Sequence, residues 1–296
     1  MQLSANEHLV EIKQDLPGFN TFFSSWVWFG DILFVVDVGP ANTAGRLIKE
    51  LSELGMVKLD YVLLTHIHID HCGALGDLLN YYPMAKVICH EKAIKTLVEP
   101  SKLWSASRDI LGDIAEAFGE PKPIERKRII AHPQSQVKGL KVIETPGHAP
   151  HHLSFTFKGR LYAGEAGGNF RDIDGNHYLR PATPPKFFME TFLDSIDSLL
   201  ALEDQPIRYA HFGGADSSRQ LLNSFRQQML RWHKIIGQQL RKGEENLVER
   251  CVNLLLEQDP NLAPYKKMVS DIQSREKFYL TNSVKGFIGF LKDKKI

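Results

Sequence analysis

Three histidines and an aspartate within six residues constrain this chain more than any other stretch of its sequence. They are His66, His68, Asp70 and His71, in a chain that has 12 histidines among 296 residues, so chance clustering explains them poorly. Neutral imidazole and carboxylate groups are the ligands that borderline divalent metals take in proteins. The stretch therefore predicts a metal site.

The residues on either side predict how this cluster is held. Tyr61 to Leu64 is a short apolar run with β-branched and aromatic members, which is typical of a buried strand. Gly73 is followed by Leu75, Leu78 and Leu79, a spacing that indicates a helix. The cluster is thus predicted on a strand-to-helix loop, where open α/β sheets place their functional groups.

Further motifs follow in a recognisable order. Val35-Val36-Asp37-Val38-Gly39 precedes the cluster, and three segments follow it: Thr145-Pro146-Gly147-His148, Leu161-Tyr162-Ala163-Gly164-Glu165 and Tyr209-Ala210-His211-Phe212-Gly213. Together with His-X-His-X-Asp-His they resemble the metallo-β-lactamase superfamily, in particular its glyoxalase II and lactonase-like metal-dependent hydrolases. The resemblance covers roughly residues 8 to 216.

The resemblance implies a set of metal ligands. His66, His68 and His148 would hold a first divalent ion, and Asp70, His71 and His211 a second, with Glu165 between them. Zinc is the expected metal, with iron or manganese as alternatives. The family usually has aspartate in place of Glu165, whose side chain is longer by roughly 1.5 Å. Glu165 could bridge both metals, bind one of them, or spread the pair.

The resemblance also implies the fold, an α/β αββα sandwich. We expect a catalytic domain over residues 1–216, with a helical insert at about 91–120, and a C-terminal helical subdomain over 217–296. The insert has a broad apolar face, which is explained either by packing on the main core or by a role as a lid or subunit contact. An apolar content of 43% is ample for a buried core.

Residues 166 to 185 show little periodicity and are rich in Gly, Asp, Asn and Pro, which predicts a long functional loop. Tyr178 is its most useful candidate, since a phenol can hydrogen-bond a substrate carbonyl or oxyanion. Asp70 is the second catalytic candidate, as a carrier of protons. The other candidates for substrate contact are Phe170, Arg171, His177 and Arg180.

The composition of the chain limits the kinds of molecule that it is expected to bind. A net charge of +1 gives no field that would attract nucleic acid, and no 18-residue apolar run predicts a membrane span. Three scattered cysteines suit a reducing compartment, and we expect a cytoplasmic protein that acts on a small molecule. The apolar insert and the C-terminal helices leave a homodimer open.

The expected reaction is hydrolysis of a small acyl substrate, such as a thioester, lactone or related ester, by a hydroxide shared between two metals. Similar sites also carry other chemistry, so the ligands do not choose the bond that is broken. The alternatives are a mononuclear iron oxidoreductase acting on a thiol or persulfide, resembling sulfur dioxygenases, and a non-catalytic metal-bound scaffold. Metal identity and number separate the first two.

Overall fold

The computed structural model describes residues 3–294, in which short strands build two large β-sheets that pack face to face and one separate two-stranded sheet. The strands are β1 (Glu7–Ile12), β2 (Phe23–Phe29), β3 (Leu33–Val36), β4 (Tyr61–Leu63), β5 (Lys86–Cys89), β6 (Ile129–Ala131), β7 (Lys141–Glu144), β8 (Leu153–Phe157), β9 (Arg160–Gly164), β10 (Asn169–Ile173), β11 (Asn176–Arg180), β12 (Ile207–Tyr209) and β13 (Gly214–Ala215). The α-helices are α1 (Ala44–Glu53), α2 (Ile69–Cys72), α3 (Leu75–Tyr81), α4 (Ile94–Val98), α5 (Ser101–Leu111), α6 (Asp113–Phe118), α7 (Met189–Leu200), α8 (Ser218–Arg241), α9 (Leu247–Gln258) and α10 (Ser270–Asp293).

The first sheet has the strand order β1-β2-β3-β4-β5-β6, and the second has the order β13-β12-β9-β8-β7. From β3 to β6 the neighbours are parallel, so the chain crosses through helices between them. In the second sheet β9 and β12 are also parallel. The carboxyl ends of these parallel strands carry the loops described below.

Successive side chains along a strand point to opposite faces of its sheet, so the buried apolar residues form three separate clusters. On β3, Phe34 and Val36 face the second sheet, where they pack with Phe155 and Tyr162. Their neighbours Leu33 and Val35 face the helices on the outer side of the first sheet. A third apolar cluster joins the outer face of the second sheet to helices α7 to α10. The order helix, sheet, sheet, helix is the predicted αββα sandwich.

Both predicted helical regions are present. The insert contains α4, α5 and α6, and the chain after residue 216 is mostly helical, from α8 to α10. The division at residue 216 stays a prediction, and the outermost residues of the two predicted domains, 1–2 and 295–296, lie outside the described part. None of the helices between residues 3 and 294 has the length and apolarity needed to cross a bilayer.

The prediction of a structureless loop over residues 166 to 185 is wrong. Strands β10 and β11 form an antiparallel hairpin in which Ile173 pairs with Asn176. The two residues between them, Asp174 and Gly175, both have positive φ, at 51° and 76°. An Asp-Gly pair in this conformation is a favoured two-residue hairpin turn, because its backbone twist matches that of the strands.

Candidate metal centre

Each predicted ligand lies just beyond the end of a strand. His66 and His68 follow β4, and the short helix α2 carries Asp70 and His71 immediately afterwards. The remaining ligand candidates follow β7, β9 and β12 respectively: His148, Glu165 and His211. The structure brings all seven residues together, because these strand ends meet at one edge of the sandwich.

The first group converges through its ring nitrogens. Nδ1 of His68 lies 2.9 Å from Nε2 of His66 and 3.0 Å from Nε2 of His148. Their carboxylate neighbour is Glu165, and ligand atoms of these four residues all lie within 4.8 Å of one another. Asp70, His71 and His211 form the second group by the same measure. The first group combines the three histidines predicted for one ion with Glu165, and the second contains the three residues predicted for the other ion; their binding of metal stays a prediction.

In His66 and His148, a hydrogen bond at Nδ1 determines that Nε2 is the unprotonated nitrogen, which can bind a metal. Nδ1 of His148 donates to the carbonyl of Ala182 at 2.8 Å, so its Nε2 presents a lone pair to the group. Nδ1 of His66 lies 3.0 Å from Oγ1 of Thr65, which itself donates to Asp37 at 2.7 Å. Oγ1 of Thr65 can therefore accept a hydrogen bond from Nδ1–H of His66, which leaves Nε2 of His66 unprotonated as well.

Asp37 organises the second group as well. Its Oδ2 accepts a hydrogen bond from Nδ1 of His71 at 3.0 Å. Nε2 of His71 is buried and has no hydrogen-bond partner within residues 3–294. An unpartnered buried nitrogen is costly unless something absent from the protein chain binds it. A divalent cation that accepts this lone pair fits the position.

Glu165 lies between the two groups. Its Oε2 is 2.6 Å from Nε2 of His148 and 3.5 Å from Nε2 of His66, both in the first group. Its Oε1 is 3.0 Å from Nε2 of His211, in the second group. The longer side chain thus directs one oxygen to each group.

The carboxylates of the centre attract positive charge, and the pKa values of its histidines shift in opposite directions. Burial and the neighbouring His71 hold the pKa of His66 well below its usual value. Burial would also lower the pKa of His71, but the carboxylates of Asp70 and Asp37 raise it to about 9. Burial opposes ionisation of Glu165, yet His148 and His211 hold its pKa well below the usual value. A cation would replace these protons and satisfy the same carboxylates.

His152 supports the centre from outside. Its Nε2 accepts a hydrogen bond from the backbone N–H of Glu165 at 3.0 Å. Its Nδ1 must then carry the proton, which it donates to Oγ1 of Thr145 at 2.8 Å. His152 therefore positions the backbone that carries Glu165.

A cavity of about 200 Å³ opens onto the centre. Its metal-side wall includes His68, Asp70 and Glu165, and its outer walls come from α5, the segment after β11, and α10. The outer lining side chains are Ser107, Ile110, Leu111, Ala182, Thr183, Pro184, Pro185, Tyr279, Asn282, Ser283 and Lys285. The helical insert thus forms a wall of the cavity, and its Leu103 and Trp104 also pack on the first sheet's core.

Tyr178 is placed differently from its predicted catalytic position. Its side chain is 2% exposed, does not line this cavity, and donates from its hydroxyl to Oε2 of Glu276 at 3.0 Å. The phenol that lines the cavity belongs to Tyr279, on α10. The ring of Tyr279 packs against Phe22 with centroids 5.5 Å apart and lies under the guanidinium of Arg180. No local sequence motif around Tyr279 predicts that its side chain lines the cavity.

Of the other loop candidates, Arg180 lines the cavity, while its guanidinium is paired with Glu276 at 2.5 Å. Phe170 is buried against the ring of Tyr209, and Arg171 donates to the carbonyl of Thr21. His177 is on the exposed face of the hairpin.

A further histidine and glutamate cluster lies at the ends of β5 and β6. Nε2 of His90 and of His132 face the Glu144 carboxylate at 3.4 and 3.1 Å. Their Nδ1 atoms accept backbone N–H groups from Lys92 and Glu91. Each Nε2 therefore carries its proton and donates to Glu144. The hydrogen bonds use all four ring nitrogens of the two histidines, so neither imidazole keeps a free lone pair for a metal.

Comparisons with known proteins agree with this architecture. A family model of the metallo-beta-lactamase superfamily matches residues 22–214. A metallo-beta-lactamase fold-containing protein of Sulfurisphaera tokodaii is 31% identical over 198 residues, covering 64% of this chain and 72% of that protein. The chain belongs to the metallo-beta-lactamase superfamily, whose members are generally metal-dependent hydrolases, and it is an enzyme of that class.

A hydroxyacylglutathione hydrolase of Photobacterium profundum is 27% identical over 196 residues, which are 65% of this chain and 62% of that enzyme. Among solved structures, an archaeal metallo-beta-lactamase superfamily protein from Sulfolobus tokodaii superposes with a TM-score of 0.62 at 28% identity, over 75% of this chain and 86% of its own. A family member from Thermus thermophilus has a TM-score of 0.67 at 21% identity and covers 99% of this chain and 95% of its own, which extends the shared fold to the C-terminal helices.

Proposed function

We propose that this enzyme hydrolyses a small, partly apolar acyl substrate, a thioester, lactone or related ester, at a centre of two zinc ions. His66, His68 and His148 would hold one ion, and Asp70, His71 and His211 the other. The observation that carries the proposal is the position of Glu165, whose two carboxylate oxygens face His148 and His211 at 2.6 and 3.0 Å. A carboxylate directed at both groups suits a bridging ligand.

Two bound divalent ions would supply a hydroxide nucleophile near neutral pH and polarise the carbonyl under attack. The chain's own groups would orient and protect that chemistry. Asp70 lines the cavity with its side chain 16% exposed, so it can pass a proton to a leaving group there. Phe22 stacks on His211 with ring centroids 4.3 Å apart, and excludes water from that side.

The cavity supports a small acyl substrate over a polyanion. Ile110, Leu111, Pro184 and Pro185 form an apolar surface opposite the ligands. Apart from histidines, the basic residues that line it within residues 3–294 are Arg180, whose charge Glu276 offsets, and Lys285. Nucleic acid binding depends on many cationic contacts to phosphates, which this lining does not offer.

The test is metal analysis of the purified protein combined with assays of thioesters, lactones and phosphodiesters. We expect two equivalents of zinc and turnover of ester-type substrates. The variant Glu165→Gln should lower both the metal content and the turnover, because its amide cannot serve both groups as a carboxylate does. One equivalent of iron without hydrolysis would overturn the proposal in favour of the sulfur oxidoreductase, and unchanged metal content in Glu165→Gln would contradict bridging.

A further inference from the structure

The side chain of Asn169 makes a contact with Glu165 that a shorter carboxylate at position 165 would not reach. Nδ2 of Asn169 donates to Oε1 of Glu165 at 2.7 Å, and both side chains are buried. We infer that Asn169 is a positioning residue that holds the longer Glu165 carboxylate across the two ligand groups. The inference rests on the proposed two-metal function and assigns the residue that makes glutamate workable at a position where the family usually has aspartate.

The backbone between the two residues is shaped for this contact. The N–H of Gly168 donates to the carbonyl of Glu165 at 3.0 Å, which turns the chain back over the carboxylate. Gly168 has φ of +83°, and a Cβ there would lie 2.6 Å from the ring of Phe225. Asn169 then begins β10 and pairs with Arg180 on β11. The hairpin thus delivers the amide to one fixed place.

The side-chain amide of Asn169 has the hydrogen-bonding groups needed to orient the Glu165 carboxylate. The donor must be Nδ2, because the opposite orientation would set two acceptor oxygens against each other. Oε1, the oxygen it contacts, is the one that faces His211 in the second group. A neutral donor orients this oxygen and leaves its charge for a metal, whereas a lysine or arginine would neutralise it. Asn169 lines the cavity, and its buried Oδ1 has no hydrogen-bond partner within the described residues.

Shortening the carboxylate should remove the dependence on Asn169. In Glu165→Asp the oxygen retracts by roughly 1.5 Å, which takes it out of hydrogen-bond range of an amide that now sits at 2.7 Å. The effect of losing Asn169 should therefore depend on which residue occupies position 165. This dependence separates a positioning role from a general structural one.

The experiment is a double-mutant cycle on metal affinity, measured by competition with a chromogenic zinc chelator. In the natural background, Asn169→Ala should weaken binding of the second zinc equivalent by about 10-fold or more, while the first changes less. In the Glu165→Asp background, the same change should alter it by less than about 2-fold. Asn169→Ser repeats the test with a polar side chain that is too short to reach, should the alanine variant fold poorly.

Asn176→Ala is the matched control, since Asn176 lies on the same hairpin with an exposed side chain. It should leave zinc affinity unchanged. Equal losses from Asn169→Ala in both backgrounds, or no loss in either, would overturn the positioning role and leave the two-metal hydrolase intact. Absence of zinc binding by the natural protein would instead overturn the proposed function together with this inference.

Discussion

Oδ2 of Asp37 accepts a hydrogen bond from Nδ1 of His71 at 3.0 Å, so the carboxylate at the end of β3 orients an imidazole 34 residues further along the chain. The same carboxylate accepts from the backbone N–H and the hydroxyl of Thr65 at 2.8 and 2.7 Å. One residue thereby sets the proton positions of two histidines, directly for His71 and through Thr65 for His66.

We predict that Asp37→Asn lowers zinc affinity by about 10-fold to 100-fold. An amide N–H2 facing Nδ1 of His71 would favour the other tautomer and place a proton on the nitrogen that should bind metal. Chelator competition measures the change. Asp77→Asn is a suitable control, because Asp77 pairs with Lys122 on the surface of α3. An unchanged affinity in Asp37→Asn would contradict the orienting role.

Removal of a ligand should abolish turnover without unfolding the chain. We predict that His66→Ala and His148→Ala reduce ester hydrolysis to the uncatalysed background while circular dichroism spectra stay native, because both residues lie on loops beyond strand ends. His177→Ala, at the exposed face of the β10-β11 hairpin, should retain activity. Full activity in either ligand variant would refute its assignment.

Acid should destabilise the protein through Glu276. Burial opposes ionisation of this carboxyl, but the guanidinium groups of Arg180 and Arg275 lower its pKa from 4.5 to about 2. A depressed pKa stabilises the folded state above pH 4.5, and that contribution, about 3 kcal/mol, is lost as the pH falls towards 2.

Urea unfolding at a series of pH values tests this. We expect Glu276→Gln to lower stability at pH 7 by roughly 3 to 5 kcal/mol, because Arg180 and Arg275 keep their buried charges. It should also flatten the loss of stability between pH 4.5 and 2. Glu257→Gln, an exposed change on α9, should do neither. If the stability of Glu276→Gln fell as steeply with pH as that of the natural protein, the loss of stability in acid would not arise from Glu276.

The apolar wall of the cavity should set which acyl groups are accepted. We predict that Ile110→Ala reduces kcat/KM for longer acyl chains by up to about 10-fold, since each buried methylene contributes about 0.8 kcal/mol. The shortest substrates should be hydrolysed as before. Steady-state kinetics over a series of chain lengths measures this, and a uniform reduction across the series would argue against a contact between Ile110 and the acyl chain.

The ligand cluster and its loops could be predicted from sequence because their determinants are local. His66 to His71 form one contiguous motif. The apolar run Tyr61 to Leu64 predicts the strand that precedes this motif. The αββα layering follows from similar patterns, since Leu33 to Val36 can be buried on both faces only between two layers.

Other features depend on contacts that no local pattern reveals. Only the last part of α10, Val284 to Leu291, has an evident apolar pattern. Its first half buries Arg275 and Glu276, and the single carboxylate of Glu276 pairs both with Arg275 and with Arg180, which lies about 96 residues earlier in the chain. That network also draws the hydroxyl of Tyr178 away from the cavity.

Asp174-Gly175 is a local turn signal within a stretch of high Gly and Asp content. By itself this dipeptide predicts a two-residue hairpin turn, and with it a defined position for Asn169 on β10. The contact between Asn169 and Glu165 itself follows only once the turn at Gly168 is known, because sequence spacing alone does not bring residues four apart together outside a helix.

The cavity walls contributed by α5 and α10 lie far in sequence from the residues that would bind metal. We therefore expect the residues that carry out the reaction and those that select the substrate to lie on separate stretches of the chain. Libraries confined to the cavity-facing positions of these two helices should yield enzymes with new acyl preferences and an unaltered metal complement. A fragment ending at residue 216 would lack α10 and so expose its reaction centre on one side.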